Sequence, residues 1–345
     1  MKKRILELDG IRGIAVLLVV VGHYCSYVLP NVEFFAVASL GVNIFFVLSG
    51  FLIGGIILDE HERSGFYRSF YRRRAARILP IYFAVIAFAF IADAATAGEP
   101  WADRLLPVWV YAAFLTNFAL AFLGKTGLLL NPTWSLAVEE QFYLAMPVVI
   151  IMTPKRRLPV VLGAICVAAI FLRWSWASNP AAIEVLLPCR MDSLVIGVAA
   201  ALANRRLVLA PHAAALVGSA LVPLLAIVAT SVLRHDLAVL FSPTAFALTT
   251  ALLLLGAIHG GSPEGVLRSP WLRYFGEISY GLYLIHEPFR VLLTGALLGK
   301  TVFTPGLDRI PVSLLALGLA MLVATISWRH FERPIIAWAA RNSAG

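Results

Sequence analysis

The chain has 345 residues, of which 60% are hydrophobic and only 14% are charged, and its formal net charge at pH 7 is +9. A soluble domain of this length would be closer to half apolar and a quarter charged, so the composition excludes an ordinary soluble domain. The apolar runs are long enough to span a bilayer, and the sequence therefore predicts an all-α, polytopic membrane protein. Because the lysines and arginines concentrate in short loops between these runs, they indicate membrane topology and argue against a nucleic-acid partner.

The first half of the chain contains four predicted spans and one exceptional segment. The basic start "MKKR" places the N-terminus in the cytoplasm. An arginine-rich loop after the second span suits the same side, and the aromatic residues within it predict a helix lying in the membrane interface. Residues 105–123 are apolar, but a crossing there would put the basic "TPKRRLP" outside, so we expect a re-entrant or dipping segment. The predicted spans are about 11–29, 38–58, 78–96 and 136–153.

The second half alternates across the membrane without conflict. The basic loops "ANRR", "RSPWLR" and "SWRHFERP" all fall on the cytoplasmic side. We therefore expect about ten crossings with both termini cytoplasmic, in a single integral-membrane domain over 1–345 with no appended soluble domain. The predicted spans are about 157–175, 186–204, 208–233, 239–259, 276–298 and 312–329.

The first span carries two residues that are costly in hydrocarbon, Arg12 and His23. They are eleven positions apart, which is about three helical turns, so they share a face and lie about 16 Å apart along the axis. Ionisable groups at membrane depth usually face a bundle interior or a water-filled cavity. The alternative is an ordinary topological arginine and an interfacial histidine.

A second unusual stretch, "NPTWSLAVEEQFYLAMP", opens the span at 136–153. Glu139 and Tyr143 share a helix face at i and i+4. If His23 and a glutamate met, the carboxylate would orient the imidazole and stabilise its protonated form, as a general base requires. The alternative is a wet helix end with a solvated glutamate.

Arg74 and Arg77, in "RRRAARILP", point together from one helix face at i and i+3. A guanidinium presents a planar fork that matches phosphate oxygens, so the pair is a candidate phosphate site. The alternative is anchoring of the membrane surface by anionic lipid.

Further polar residues lie inside apolar spans. Tyr280, Tyr283 and Glu287 share a face of "GEISYGLYLIHEPF", and His286 stands beside that glutamate. Arg190 and Asp192 are expected to pair with each other or with the glutamates as a structural salt bridge. The three cysteines have neither metal-ligand nor disulfide spacing.

Taken together, these stretches resemble the membrane-bound acyltransferase family 3, over nearly the whole chain. Each stretch alone is weak, but their order along the chain matches the family. His23 and Arg12 stand at the family's Arg-x10-His signature. The stretches are "LDGIRGIAVLLVVVGH", "FFVLSGFLI", "RAARILP", "TWSLAVEEQFYL", "SYGLYLIHEP" and "FERP".

The resemblance implies transfer of an acyl group, usually acetyl from acetyl-coenzyme A, to a hydroxyl of a glycan or small molecule, in the bacterial cytoplasmic membrane. His23 matches the essential histidine, Arg12 its paired basic residue, and Glu139 the first glutamate of Trp-Ser-Leu-x-x-Glu. Arg74 and Arg77 match the pair that meets the donor's phosphates. We expect no permanently bound cofactor and no metal; the partners are acyl-coenzyme A, the hydroxyl acceptor and membrane lipids.

The resulting hypothesis is an integral-membrane O-acyltransferase acting on a carbohydrate. His23 is expected either to remove the proton from the acceptor hydroxyl or to carry the acyl group first, as a covalent intermediate, and Glu139 is its positioning residue. Arg12, Arg74 and Arg77 hold the donor, and Arg190, Tyr143 and Tyr280 line the acceptor side. The competing class is a transporter or flippase of a glycan or lipid-linked substrate, although two matched broken helices, typical of many transporters, are missing.

Overall fold

The computed structural model describes residues 5–26, 34–206, 216, 219–224, 227, 235–260, 264–301 and 306–341. These residues form helices and connecting turns, with no β-strand among them. The helices are α1 (Leu6–Cys25), α2 (Phe34–Glu60), α3 (Phe66–Ala95), α4 (Val108–Ala112), α5 (Thr116–Leu123), α6 (Thr133–Met152), α7 (Leu158–Ser175), α8 (Pro180–Val185), α9 (Leu187–Arg206), α10 (His235–Ile258), α11 (Glu264–Leu267), α12 (Pro270–Leu298), α13 (Ile310–Ser327) and α14 (Arg333–Arg341). Short 3₁₀ turns occupy Leu128–Leu130 and Leu307–Arg309, and a π-helical turn over Trp328–Glu332 joins α13 to α14.

Within the described ranges, eight helices or helix pairs are long and apolar enough to cross a membrane. They include α1, α3, α6, α7 and the joined stretch Pro180–Arg206. The prediction of an all-α, multi-pass membrane protein is therefore confirmed. The number of crossings and the side of each terminus stay predictions, and the predicted span 208–233 lies mostly outside the described residues.

The predicted span 276–298 is helical but unusual. Helix α12 has 29 residues, yet it is not among the eight apolar helices. Its interior carries His286, Glu287 and Arg290, all buried by neighbouring helices. Charged groups within a membrane protein require protein or a cavity around them, and α12 packs between α1 and α13.

The course of α3 differs from the prediction that the arginine-rich loop forms a helix in the membrane interface. The arginine-rich segment does not form a separate interfacial helix, because α3 runs without a break from Phe66 to Ala95 and contains Pro80. Phe66 and Phe70 pack into the protein core. The apolar face of this segment is thus covered by protein rather than by lipid, and the arginines continue directly into the membrane-crossing part.

Backbone contacts between helices set the architecture around the site. A Cβ atom at Gly276 would lie 1.9 Å from the carbonyl oxygen of Asp9, and one at Gly50 would lie 1.8 Å from that of Leu194. Small residues at these crossings allow close backbone approach, as is common for helices in membranes. Helix α1 is therefore held against α12, and α2 against α9.

The segment 105–123 forms two short helices rather than one continuous span. Helices α4 and α5 are separated by a turn in which Phe114 has a positive φ of 53°. Asn117 and Gln141 exchange two amide hydrogen bonds of 3.1 and 3.0 Å, and Gln141 also donates to the carbonyl oxygen of Phe114. This agrees with the prediction that 105–123 is not a simple span. A polar backbone group of the turn, the carbonyl of Phe114, accepts its hydrogen bond from a side chain of α6 rather than from its own helix.

A fully buried ion pair joins three helices. Arg173 on α7 donates two hydrogen bonds of 3.0 Å to Asp192 on α9, and it also donates to the carbonyl oxygens of Cys189 and Leu240 and to Thr244. Both charged side chains are completely shielded from solvent. The sequence-based pairing of Asp192 with Arg190 or the glutamates is wrong, since Arg173 reaches Asp192 from the neighbouring helix.

We expect Arg173→Met to lower the free energy of unfolding by about 3 to 5 kcal/mol, because it leaves the Asp192 carboxylate buried without its cation. The double variant Arg173→Met/Asp192→Leu should recover part of this loss, since it removes both charges. Thermal unfolding of the purified protein in detergent measures both. A double variant less stable than the single one would contradict the assignment of the pair as an ionic contact.

Candidate active site

A cavity with both polar and apolar lining lies between α1, α2, α3, α6 and α12, and most of the residues singled out from the sequence line it. It encloses about 770 Å³ of empty space, including its open mouth. Apolar side chains such as Val42, Phe45 and Leu52 form part of its wall. The polar lining consists of Arg12, Ser49, Arg74, Arg77, Ser135, Glu139, Tyr143, Ser279, Tyr280 and Tyr283.

Three arginines converge on this cavity from two helices. Arg12 on α1 lies 3.4 Å from Asp9, within the same helix. Arg74 and Arg77 on α3 make no hydrogen bond or ion pair with any residue that the structure describes. Charged groups within a membrane protein are normally paired, and among the described residues these two guanidinium groups have no acidic partner within ion-pair distance, although Glu139 lines the same cavity.

Glu139 and Tyr143 belong to a short chain of hydrogen bonds in the cavity wall. The Tyr143 hydroxyl donates to Glu139 Oε2 at 3.1 Å and lies 2.5 Å from the Ser49 hydroxyl. The Tyr143 backbone is fixed as well, because Pro147 cannot donate to its carbonyl oxygen and the Tyr71 hydroxyl does so instead, at 3.4 Å. Glu139 and Tyr143 thus share one face, as the i and i+4 spacing predicts.

The remaining tyrosines lie on α12. Tyr283 lies 2.5 Å from the hydroxyl of Ser135 and donates to the carbonyl oxygen of Pro132. Tyr280, nearer to the arginines, donates to the carbonyl oxygen of Ile78. Ser135 and Tyr283 both line the cavity, and Tyr283 stands about one helical turn before His286 along α12.

His23 does not line this cavity, and its partners differ from those expected. Its Nδ1 lies 2.8 Å from Nε2 of His286 and 4.0 Å from Oε2 of Glu287. The predicted pairing of His23 with Glu139 is wrong, because the close packing of α1 on α12 brings His286 and Glu287 to the depth of His23. Arg290 in turn binds both carboxylate oxygens of Glu287.

The ring nitrogens of His23 and His286 and the carboxylate of Glu287 lie within 4.8 Å of one another, close enough to suggest a cation site. Two imidazole ligands of a tetrahedral zinc ion would have their nitrogens about 3.3 Å apart. The observed separation is 2.8 Å, and Glu287 is already engaged by Arg290. The geometry is that of a hydrogen-bonded histidine pair.

Arg190, expected on the acceptor side, is not among the cavity residues. It is buried, donates to Asn43 Oδ1 at 2.7 Å, and lies over the ring of Phe46 with a distance of 5.8 Å to the centroid. Phe46 lines the cavity, so Arg190 supports the wall from behind.

Several residues of the site were not assigned a role from the sequence. From the sequence, Ser49 is interpreted as a packing residue rather than a nucleophile, and Ser135 gives no signal, since single serines in apolar helices are common. His286 and Glu287 were noticed as unusual, and a face shared with Tyr283 pointed to the bundle interior. The helical spacing in the sequence does not show which helix α12 packs against.

These features define a multi-pass membrane protein with an internal, positively charged site beside a buried histidine pair. A protein-family model, acyltransferase 3, described as an acyltransferase domain, matches residues 5–329 of this chain. The chain belongs to the acyltransferase 3 family, which confirms the resemblance inferred from its motifs.

Individual relatives carry names of the same kind. The peptidoglycan O-acetyltransferase OatA of Listeria monocytogenes is 25% identical over 97% of this chain and 56% of its own length. The putative peptidoglycan O-acetyltransferase YrhL of Bacillus subtilis is 29% identical over 95% of this chain and 54% of its own length. The chain thus spans about half the length of the curated relatives it matches. No solved structure matches it.

Proposed function

We propose that this protein is an O-acyltransferase that moves an acetyl group from acetyl-coenzyme A to a hydroxyl of a cell-surface glycan, in the bacterial cytoplasmic membrane. The observation that carries the proposal is the convergence of Arg12, Arg74 and Arg77 on one cavity. Coenzyme A is a polyphosphate, and guanidinium groups bind phosphate oxygens in bidentate fashion. The acetyltransferase names of two relatives support acetyl as the group and a glycan as the acceptor.

The cavity suits the two parts of such a donor. Its arginine end accepts the nucleotide phosphates, and the positive-inside rule places that end at the cytoplasm, where acyl-coenzyme A is made. Its apolar wall of Val42, Phe45 and Leu52 suits the long uncharged arm that carries the thioester. Tyr283, hydrogen-bonded to Ser135 in the cavity wall, stands about one helical turn before His286, so this part of the cavity is where the thioester approaches His23.

The reaction then requires one proton acceptor. His23 removes the proton from the acceptor hydroxyl while the oxygen attacks the thioester carbonyl carbon. The carbon–sulfur bond breaks, the ester forms, and the coenzyme leaves as a thiolate that takes up the proton from His23. General base catalysis of this kind contributes about 10²- to 10⁴-fold to the rate.

The test uses the full chain in lipid nanodiscs with acetyl-coenzyme A labelled in the acetyl group. Peptidoglycan fragments and a neutral exopolysaccharide serve as acceptors, each with a matched sample in which hydroxyls are blocked. We expect label to enter the unblocked glycan as an ester that mild alkali releases. Movement of unlabelled glycan across the membrane without ester formation would instead support the transporter class and overturn the proposal.

A further inference from the structure

The hydrogen bonds of His286 determine which of its ring nitrogens carries a proton. His286 is fully buried on α12, and its Nδ1 lies 2.7 Å from the carbonyl oxygen of Tyr283 and 3.2 Å from that of Leu282. A carbonyl oxygen can only accept a hydrogen bond, so Nδ1 of His286 carries a proton. In a neutral imidazole the other nitrogen, Nε2, is then an acceptor.

This assignment determines the state of His23. Its Nδ1 lies 2.8 Å from Nε2 of His286. Because Nε2 of His286 is the acceptor in this bond, Nδ1 of His23 must be the donor. Neutral His23 therefore has its proton on Nδ1 and its lone pair on Nε2.

We propose that His286 is a positioning residue that holds His23 in the tautomer whose Nε2 removes the proton from the acceptor hydroxyl. The inference rests on the proposed function, since it needs His23 to act as the base. The role of His286 corresponds to that of the acidic residue in a Ser-His-Asp triad, which orients the base without reacting itself.

Glu287 and Arg290 complete the arrangement. When His23 takes up a proton it becomes a cation, and the Glu287 carboxylate 4.0 Å from its Nδ1 offsets that charge. Arg290 holds the carboxylate through Nε at 3.0 Å and through a second bond from its terminal nitrogen. The acid and its arginine together are neutral in the resting protein, so the immediate surroundings of the histidine pair carry little net charge until the proton moves.

The geometry of the two rings agrees with this hydrogen bond, and a further contact holds the helices in place. The imidazole centroids lie 5.1 Å apart and the ring planes differ by 11°, as expected for rings that meet edge to edge through their nitrogens. Tyr24, one residue after His23, donates from its hydroxyl to the carbonyl oxygen of His286 at 3.0 Å. Helices α1 and α12 are thus tied together at the reacting histidine itself.

The kinetic test compares His286→Ala and His286→Gln with the wild type in nanodiscs. We expect His286→Ala to lower kcat by about 10²-fold, as loss of base orientation implies, with the KM for acetyl-coenzyme A changed less than about twofold. A glutamine side-chain oxygen can accept the bond from Nδ1 of His23, so His286→Gln should retain activity within about tenfold of the wild type. The solvent-exposed His330, replaced by alanine, is the matched control.

A spectroscopic test does not depend on enzymatic activity. Solid-state NMR of the wild-type protein labelled with ¹⁵N-histidine, with the His23 signal assigned by its loss in His23→Ala, should show Nδ1 protonated and Nε2 unprotonated. In His286→Ala the other tautomer should gain population.

The outcomes separate this inference from the proposed function. A wild-type His23 protonated on Nε2, or a His286→Ala variant with wild-type kcat, would overturn the role of His286 alone. A His23→Ala variant that transfers label normally would overturn the catalytic role of His23 and the inference with it. A raised KM with unchanged kcat in His286→Ala would assign that residue to donor binding and reject the positioning role.

Discussion

Replacing His23 by alanine is expected to lower acetyl transfer by about 10³-fold, the middle of the range for loss of a general base. The expectation follows from the contacts of His23, which is hydrogen-bonded to His286 and lies 4.0 Å from the Glu287 carboxylate that Arg290 holds. Packing alone does not call for such a group of polar and charged side chains, because buried apolar residues would pack without the cost of desolvating charge.

Single-turnover rates with saturating acetyl-coenzyme A measure this effect on the chemical step itself. The donor affinity should stay within about threefold of the wild type, because His23 does not line the cavity with the three arginines. His330→Ala provides the control for loss of an imidazole at an exposed position. Equal label transfer by His23→Ala and wild type would show that another group removes the proton.

The second large effect is expected for the double variant Arg74→Ala/Arg77→Ala. A hydrogen bond to a charged group contributes about 1.5 to 3 kcal/mol, so each arginine lost should weaken donor binding by about 10- to 100-fold. The two losses should not add fully, because both side chains meet the same polyphosphate. The KM for acetyl-coenzyme A should therefore rise by about 10²- to 10³-fold while the single-turnover rate at saturation falls much less.

The matched control is Arg156→Ala/Arg157→Ala, which removes the same charge from an exposed loop. A donor without its 3′-phosphate adds a second comparison: it should bind the wild type more weakly, with a smaller relative loss in the double variant. If the KM of the Arg74/Arg77 variant equals that of the control, the two arginines do not bind the donor. They then anchor the protein at the membrane surface by binding anionic lipid, which is the alternative interpretation of their motif.

The membrane class and most helices could be predicted from the sequence because they depend on local properties. Length and hydropathy decide whether a segment can span a bilayer, and each helix satisfies its own backbone there. The exception at 105–123 was also predictable, from the conflict with the basic loop that follows α6. The prediction of an interfacial helix was wrong, because the sequence does not show whether Phe66 and Phe70 face lipid or protein. That depends on the helices that pack against α3.

For the candidate site, too, some relations between residues could be predicted from the sequence and others could not. Arg12, Arg74 and Arg77 were expected on one side of the membrane, and they meet in one cavity. The shared face of Glu139 and Tyr143 followed from helical spacing within one helix, and the structure contains their hydrogen bond. Relations within an element, or between elements at the same membrane level, are thus visible in the chain.

Contacts between different helices could be read only from the packed structure. The membrane class, the family motifs and the spacing of polar residues along each helix follow from the sequence, because span length, motif order and helical rise are properties of the chain. The sequence does not show that His23 meets His286 and Glu287 rather than Glu139, or that Asp192 meets Arg173 rather than Arg190. Those choices depend on the rotation and the close approach of packed helices, which small residues such as Gly276 permit but whose partner they do not specify.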